Sequence, residues 1–153
     1  MARSNTIQIT NRKAKFEYEF IEEYTAGIEL HGPEVKSIMA GKANLADAFC
    51  YFKKGELYVK NFHIAEYKYN TIQDLHPTRE RKLLLKKREL RKLHKGVKEK
   101  GLTIVPYKVF INDKGWIKLR IALAQGKKVH DKRQSIKERE SKREMDRAKR
   151  SRV

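Results

Sequence analysis

The sequence predicts a mainly β protein with short helices. The expected form is a small closed antiparallel β-barrel of the oligonucleotide-binding type, carrying a basic C-terminal tail that is disordered when free. Three observations lead there. Several short runs alternate apolar and polar residues and are separated by turn signals, the mark of half-buried antiparallel strands. The charge is strongly positive, with 37 Lys and Arg against 19 Asp and Glu for a net +18, which favours a polyanionic partner. The last stretch, 126–153, holds 12 Lys and Arg against 5 Asp and Glu and no Phe, Tyr or Trp, so it has little to bury. The expected organisation is therefore a folded module over 1–125 and a tail over 126–153.

From the start, residues 1–14 read as a loose arm leading into the basic cluster Asn11, Arg12, Lys13, Ala14, Lys15. Such a cluster is either a solvated terminus or a phosphate contact. Phe16, Tyr18 and Phe20 alternate with Glu17 and Glu19, which predicts a strand. The alternation slips near Ile21, and Gly27 follows, so a bulge is expected in this strand. A short helix is expected over 32–41. Pro33 suits its first turn, Glu34 complements its dipole and Gly41 suits its stop; Val35, Ile38 and Met39 would face the core. Two strands follow, about 46–53 and 56–62, joined by the turn Lys53, Lys54, Gly55. Cys50, the only cysteine, reads as a small buried thiol. Tyr67 and Tyr69 flank Lys68, a pattern that serves base stacking or rim packing.

The stretch 77–93 reads as the most helix-prone of the folded module, as one helix or as two broken near Lys86. Leu83, Leu90, Leu93 and Val97 would be its buried side, and Gly96 or Gly101 its end. The other faces of this stretch are crowded with Arg and Lys, and Arg79, Arg81 and Lys82 are expected to be left unbalanced by nearby acids. A hairpin closes the module. Thr103, Val105, Tyr107, Val109 and Ile111 share one side of its first strand, and the turn is Asn112, Asp113, Lys114, Gly115. Ile117, Leu119, Ile121 and Leu123 face in from the return strand, with Lys118 and Arg120 outside. About six strands make the barrel, and a split sheet with helices on one side is the alternative architecture.

The tail has the capping-box form at Ser135 and Glu138 and the i,i+4 pairs Glu138–Lys142 and Asp146–Arg150. Ile136 and Met145 fall on opposite sides of a helix, so no apolar stripe forms. A helix without a buried face is marginal in water, and this one is expected to form against RNA.

Other chemistry is sparse. The five histidines are scattered, and no phosphate-cradling glycine loop, nucleophile elbow or zinc-ligand spacing occurs. Asp131 beside His130 lacks a third partner. No cofactor and no metal are expected, and an enzyme is disfavoured. There is no apolar signal region or membrane-length run, so a cytoplasmic protein is expected; a monomer in the free state is a separate expectation.

Several ordered motifs resemble one family. They are Asn-Arg-Lys-Ala-Lys (11–15), Ala-Gly-Ile-Glu-Leu (26–30), Glu-Val-Lys-Ser (34–37), Ala-Gly-Lys-Ala-Asn (40–44), Arg-Lys-Leu-Leu-Leu (81–85), Gly-Lys-Lys-Val-His-Asp-Lys-Arg (126–133) and Ile-Lys-Glu-Arg-Glu (136–140). In this spacing they resemble the SmpB family of tmRNA-binding proteins. The resemblance implies an adaptor that binds the tRNA-like domain of tmRNA and brings it to a stalled ribosome. There the tail enters the decoding centre and the empty mRNA channel, which enables trans-translation. Carried over by position, it assigns Asn11, Arg12, Lys13, Lys36, Gly41, Lys42, Arg81, Lys82 and Leu84 to the tmRNA-binding surface. It assigns Gly126, Lys127, Lys128, His130, Asp131, Lys132 and Arg133 to the ribosomal RNA of the decoding centre. Thr25, Lys86 and Ser141 depart from the family pattern, where an acid, a His or Asn, and an aromatic are common. A structural ribosomal protein or general RNA-binding module is the competing reading.

Overall fold

The N-terminal arm is not loose where the structure describes it. A computed structural model describes residues 7–70 and 75–127. In it β1 (Gln8–Thr10) pairs antiparallel with a later strand, and α1 (Arg12–Glu17) follows at once. Six residues cannot show a helical stripe, which is why this helix was illegible in sequence. Phe16 therefore belongs to a helix, and the strand β2 (Tyr18–Ile28) begins two residues later. The expected slip is present: the register of β2 shifts between Phe20 and Glu22, leaving Ile21 unpaired in a bulge.

Helix α2 (Gly32–Met39) starts where expected and ends two residues before the expected 41, with Pro33 in the first turn. Gly41 has φ +74°, a left-handed turn that favours glycine, and its amide donates to the Ile38 carbonyl. Ile38 is fully buried and Val35 half-buried, but Met39 is 47 % exposed and faces away from the core. The strands β3 (Ala43–Asn44), β4 (Phe49–Lys53), β5 (Glu56–Lys60) and β6 (His63–Ile64) follow. β4 and β5 form the expected hairpin. Lys54 (φ 52°) and Gly55 (φ 79°) occupy the left-handed positions of its two-residue turn. Cys50 is buried, and burial pushes its thiol well above the ordinary range.

The expected helix at 77–93 is a strand followed by a helix. Arg81–Leu84 form β7, paired with β2 on one side and β5 on the other; α3 (Lys87–Lys100) starts only after Lys86. Helical propensity lost here to tertiary pairing, because two strands leave a slot that only an extended segment fills. Gly101 (φ 64°) ends α3 in the left-handed cap. Gly96 lies against Leu123, with no room between them for a Cβ.

Strands β8 (Thr103–Ile111) and β9 (Ile117–Gly126) form the closing hairpin. The Asn112 side chain accepts from the Lys114 and Trp116 amides and holds the turn. β8 carries a bulge that the sequence did not reveal, with register shifting between Pro106 and Lys108. The bulge changes which residues share a face. Ile104, Val109 and Ile111 enter the main core, while Val105 and Tyr107 join a second cluster with Ala14, Ala122 and Ala124. The small outward alanines of β9 let α1 lie on that end of the sheet.

The strands form a seven-stranded sheet in the order β1-β8-β9-β2-β7-β5-β4 and a separate β3-β6 ribbon. The sheet curls so that β4 approaches β8, although no ladder between them closes it into a ring among the described residues. Mainly β with few short helices is therefore the observed class. The core lies inside the curl and contains Leu57, Val59, Phe62, Leu83, Leu93, Leu119 and Ile121, each fully buried. β9 runs through Gly126, and the Lys127 amide donates to the Glu17 carbonyl at 2.9 Å. The last strand thus runs one residue beyond position 125.

Candidate nucleic-acid interface

Lateral pairing shows which residues share the outer face of the sheet, because partners across a ladder project to the same side. One row runs Leu84, Gly27, Lys118, Phe110 across β7, β2, β9 and β8. The next runs Thr25, Arg120, Lys108, Thr10. Leu84 is 48 % exposed, and its side chain covers Gly27, which supplies none of its own. The result is an apolar spot beside a band of cations.

Lys118, Lys108 and Arg120 all face outward from this band. The Lys15 ammonium sits 5.9 Å from the centre of the Tyr107 ring and adds a fourth cation. Glu23 is the acid facing them: it accepts from the Tyr107 hydroxyl at 2.5 Å and lies 4.0 Å from the Arg120 guanidinium. Burial and the hydrogen bond to Glu23 push the Tyr107 pKa up, against the opposing charge of Arg120. Arg120 also donates to Tyr107 Oη and, at 2.6 Å, to Thr25 Oγ1. Thr25, where an acid is common in the family pattern, thus orients Arg120 without neutralising it.

The expected RNA-contact residues fall into three groups. Arg12 and Lys13 are exposed at the start of α1, and the Asn11 amide side chain reaches the Leu45 carbonyl at 3.4 Å. Lys36, Gly41 and Lys42 are exposed at the end of α2, where the Lys42 amide donates to Ser37 and its carbonyl accepts from Ala65. The Asn11 contact places α1 beside the loop that follows Lys42. Lys82 and Leu84 lie on the outer face of β7, with Lys82 half-buried and 3.9 Å from Glu56.

Arg81 is the correction. It is 0 % exposed and is one of the largest fully buried side chains. Its Nε donates to Glu34 Oε2 at 2.7 Å, its Nη1 to the Phe62 carbonyl at 2.6 Å and its Nη2 to the Pro77 carbonyl at 3.0 Å. Arg79 binds the same carboxylate, with Nη2 2.6 Å from Oε1. The His31 amide completes the set at 2.9 Å. Burial pushes the Glu34 carboxyl up. The hydrogen bonds from Arg79 and His31 and the charge of Arg81 outweigh it and hold the group below its ordinary range. Burial likewise lowers Arg81, against the pull of Glu34. Arg79 and Arg81 are therefore balanced by an acid, contrary to the sequence expectation. Together they fasten α2 to β7 and the residues just before it, and Arg81 does not meet solvent.

Of the tail residues, Gly126 ends β9 opposite Tyr18, and Lys127 is half-buried beside α1. Lys128, His130, Asp131, Lys132 and Arg133 lie outside the described residues, as do Ser135, Ile136, Glu138 and Ser141. Sequence reasoning placed Lys118 and Arg120 outside but did not join them to Lys15, because the bulge in β8 hides that Tyr107, which Lys15 approaches, turns to the outer side. Among the described residues, no group of three or more His, Cys, Asp or Glu could hold a metal, and no helix is long and apolar enough to cross a membrane.

The family model for SmpB protein matches residues 8–151. The SsrA-binding protein of Christiangramia forsetii is 57 % identical over 143 residues, covering 94 % of this chain and 91 % of that one. The SsrA-binding protein of Phocaeicola vulgatus is 59 % identical over 141 residues, covering 92 % and 94 %. A solved chain described under "tmRNA-SmpB: a journey to the center of the bacterial ribosome" is 46 % identical. It superposes with a TM-score of 0.66 over 81 % of this chain and 87 % of that one. With the family model spanning both the sheet and the basic C-terminal stretch, the chain belongs to the SmpB protein family.

Proposed function

We propose that this chain is an RNA-binding adaptor with no reaction of its own. It binds the tRNA-like domain of tmRNA, delivers it to stalled ribosomes in the cytoplasm and enables trans-translation. The observation that carries this reading is the likeness to SsrA-binding proteins over more than nine-tenths of both chains. The cationic outer face supports it, since phosphate neutralisation supplies most of the affinity of such proteins. The curl that brings β4 towards β8 supports an oligonucleotide-binding-type barrel.

In this reading the folded module meets tmRNA through two surfaces. One is the exposed group Arg12, Lys13, Lys36 and Lys42, with Asn11 and Gly41 shaping the backbone. The other is the outer face bearing Lys82, Leu84, Lys118 and Arg120. Arg81 acts indirectly, by fixing α2 against β7. The tail, with Lys128, His130, Asp131, Lys132 and Arg133, meets ribosomal RNA at the vacant decoding centre.

Selectivity tests the proposal. Binding to tmRNA should survive a large excess of transfer RNA and of duplex RNA, whereas a general RNA-binding or structural ribosomal module would bind all three alike. Replacing Lys82 and Lys118 together by Gln should leave folding intact and weaken tmRNA binding. It should also flatten the dependence of log K on log salt by about one unit for each phosphate that is no longer neutralised. Unchanged affinity and slope would remove the outer face from the interface.

A further inference from the structure

The outer face continues beyond Lys82 onto β5 and β4, and there it becomes aromatic. Tyr51, Tyr58 and Lys82 form one lateral row, and Phe49 stands opposite Lys60 in the next. The inward residues of these strands, Cys50, Leu57 and Val59, already fill the core. The outward aromatics are therefore not needed to complete it. Phe49 is 45 % exposed, and Tyr51 and Tyr58 are half-buried by each other and by their neighbours. The ring centres of Phe49 and Tyr51 lie 5.8 Å apart, and those of Tyr51 and Tyr58 6.2 Å apart, with interplanar angles of 38° and 30°. They make a shallow, nearly continuous tiled surface.

Charge surrounds this surface on the side that suits phosphates. Lys53 lies 5.8 Å from the centre of the Tyr58 ring, and Lys60 and Lys82 flank the same ring along and across the ladder. The two acids nearby are engaged. Glu80 accepts from the Tyr51 hydroxyl and from Lys53, and Glu56 faces Lys82. Exposed aromatic faces interleaved with lysines are what unpaired bases need, because every base has a face to stack and a phosphate to neutralise. A duplex hides its base faces. An added protein strand would use the β4 backbone edge and would gain nothing from outward rings.

We propose that the outer face of β4, β5 and β7 is a stacking platform for two unpaired nucleobases of RNA. Phe49 lies under one base, Tyr51 and Tyr58 lie under the next, and Lys60 and Lys82 stand at the intervening phosphates. The choice of RNA as occupant rests on the adaptor reading above, and the site extends the cationic face described for it.

The test uses the full chain and an eight-nucleotide oligouridylate carrying 4-thiouridine, alone and within a duplex. The single strand should bind, and irradiation should cross-link it to residues 49–60. Phe49→Leu should weaken single-strand binding about tenfold. Phe49→Trp should restore it, Tyr51→Phe should leave it unchanged because the ring is kept, and duplex affinity should be the same in all variants. Equal single-strand affinity for wild type and Phe49→Leu, or cross-links confined to other segments, overturns the platform. If Phe49→Leu fails to fold, the wild-type cross-links and Phe49→Trp decide the matter. Selectivity of the wild type for tmRNA is measured separately. Its loss would overturn the adaptor reading, while the oligonucleotide contrast would still decide the platform.

Discussion

Glu34→Gln is expected to lower the stability of the folded chain by about 3–5 kcal/mol, the usual cost of removing one partner from a buried ion pair. The reason is the partner left behind. Arg81 is fully buried, and Glu34 is the acid that faces it. Glutamine keeps the shape of the side chain and one acceptor oxygen, so packing is preserved and the missing charge is what the experiment reads. For a module of this size the thermal midpoint should fall by roughly 10 °C or more. The double variant Glu34→Gln with Arg81→Met should recover much of the loss, because no unpaired buried charge then remains. The effect also has a pH signature. Glu34 is held below its unfolded value of 4.5, so its stabilisation is fully present above that pH. It is lost as pH falls through the lower folded value. The gap between wild type and Glu34→Gln should therefore be widest near neutrality and narrow in acid below about pH 4.5. Equal melting at pH 7 would mean that this cluster does not fasten α2 to β7.

A chain ending at Lys127 is expected to fold and bind tmRNA with near-normal affinity, yet to support no peptide tagging on stalled ribosomes. The cut must fall there and not at Ala124. Residues 125 and 126 still pair with Glu19 and Tyr18, and the Lys127 amide bonds to Glu17. An earlier cut would unpair the end of β9 from β2 and confuse a folding defect with a functional one. Thermal melting and tmRNA affinity of the truncated chain serve as the controls. The removed stretch carries the sequence motif Lys128, His130, Asp131, Lys132, Arg133, which the family resemblance assigns to the decoding centre. Normal tagging by the truncated chain would take that role away from the tail. Loss of tmRNA affinity would move the tail into the tmRNA interface.

What could be read in the sequence was what is local. The return strand β9, its turn at Asn112, the bulge after Phe20 and the glycine stops at 41 and 101 each depend on neighbours within a few residues. The failures depended on distant partners. Arg81, Lys82, Leu83 and Leu84 form a strand too short to show its period of two against a helix-prone background. Only β2 and β5 on either side decide it. Arg81 looked like a free surface cation because its acid, Glu34, lies 47 positions earlier. Lys15 joins Lys108, Lys118 and Arg120 through Tyr107, which the bulge in β8 turns to the outer side, and that bulge leaves no glycine to mark it. For the candidate site, the sequence showed the charges and the structure showed which of them share the outer face of the sheet.

The central claim is that this chain is an adaptor for tmRNA rather than a general basic module. Sequencing the RNA that co-purifies with the full-length protein under native conditions tests it most directly. tmRNA is expected to be enriched far above its share of total cellular RNA, with transfer RNA near background. Recovery of transfer and ribosomal RNA simply in proportion to their abundance, with no enrichment of tmRNA, would contradict it.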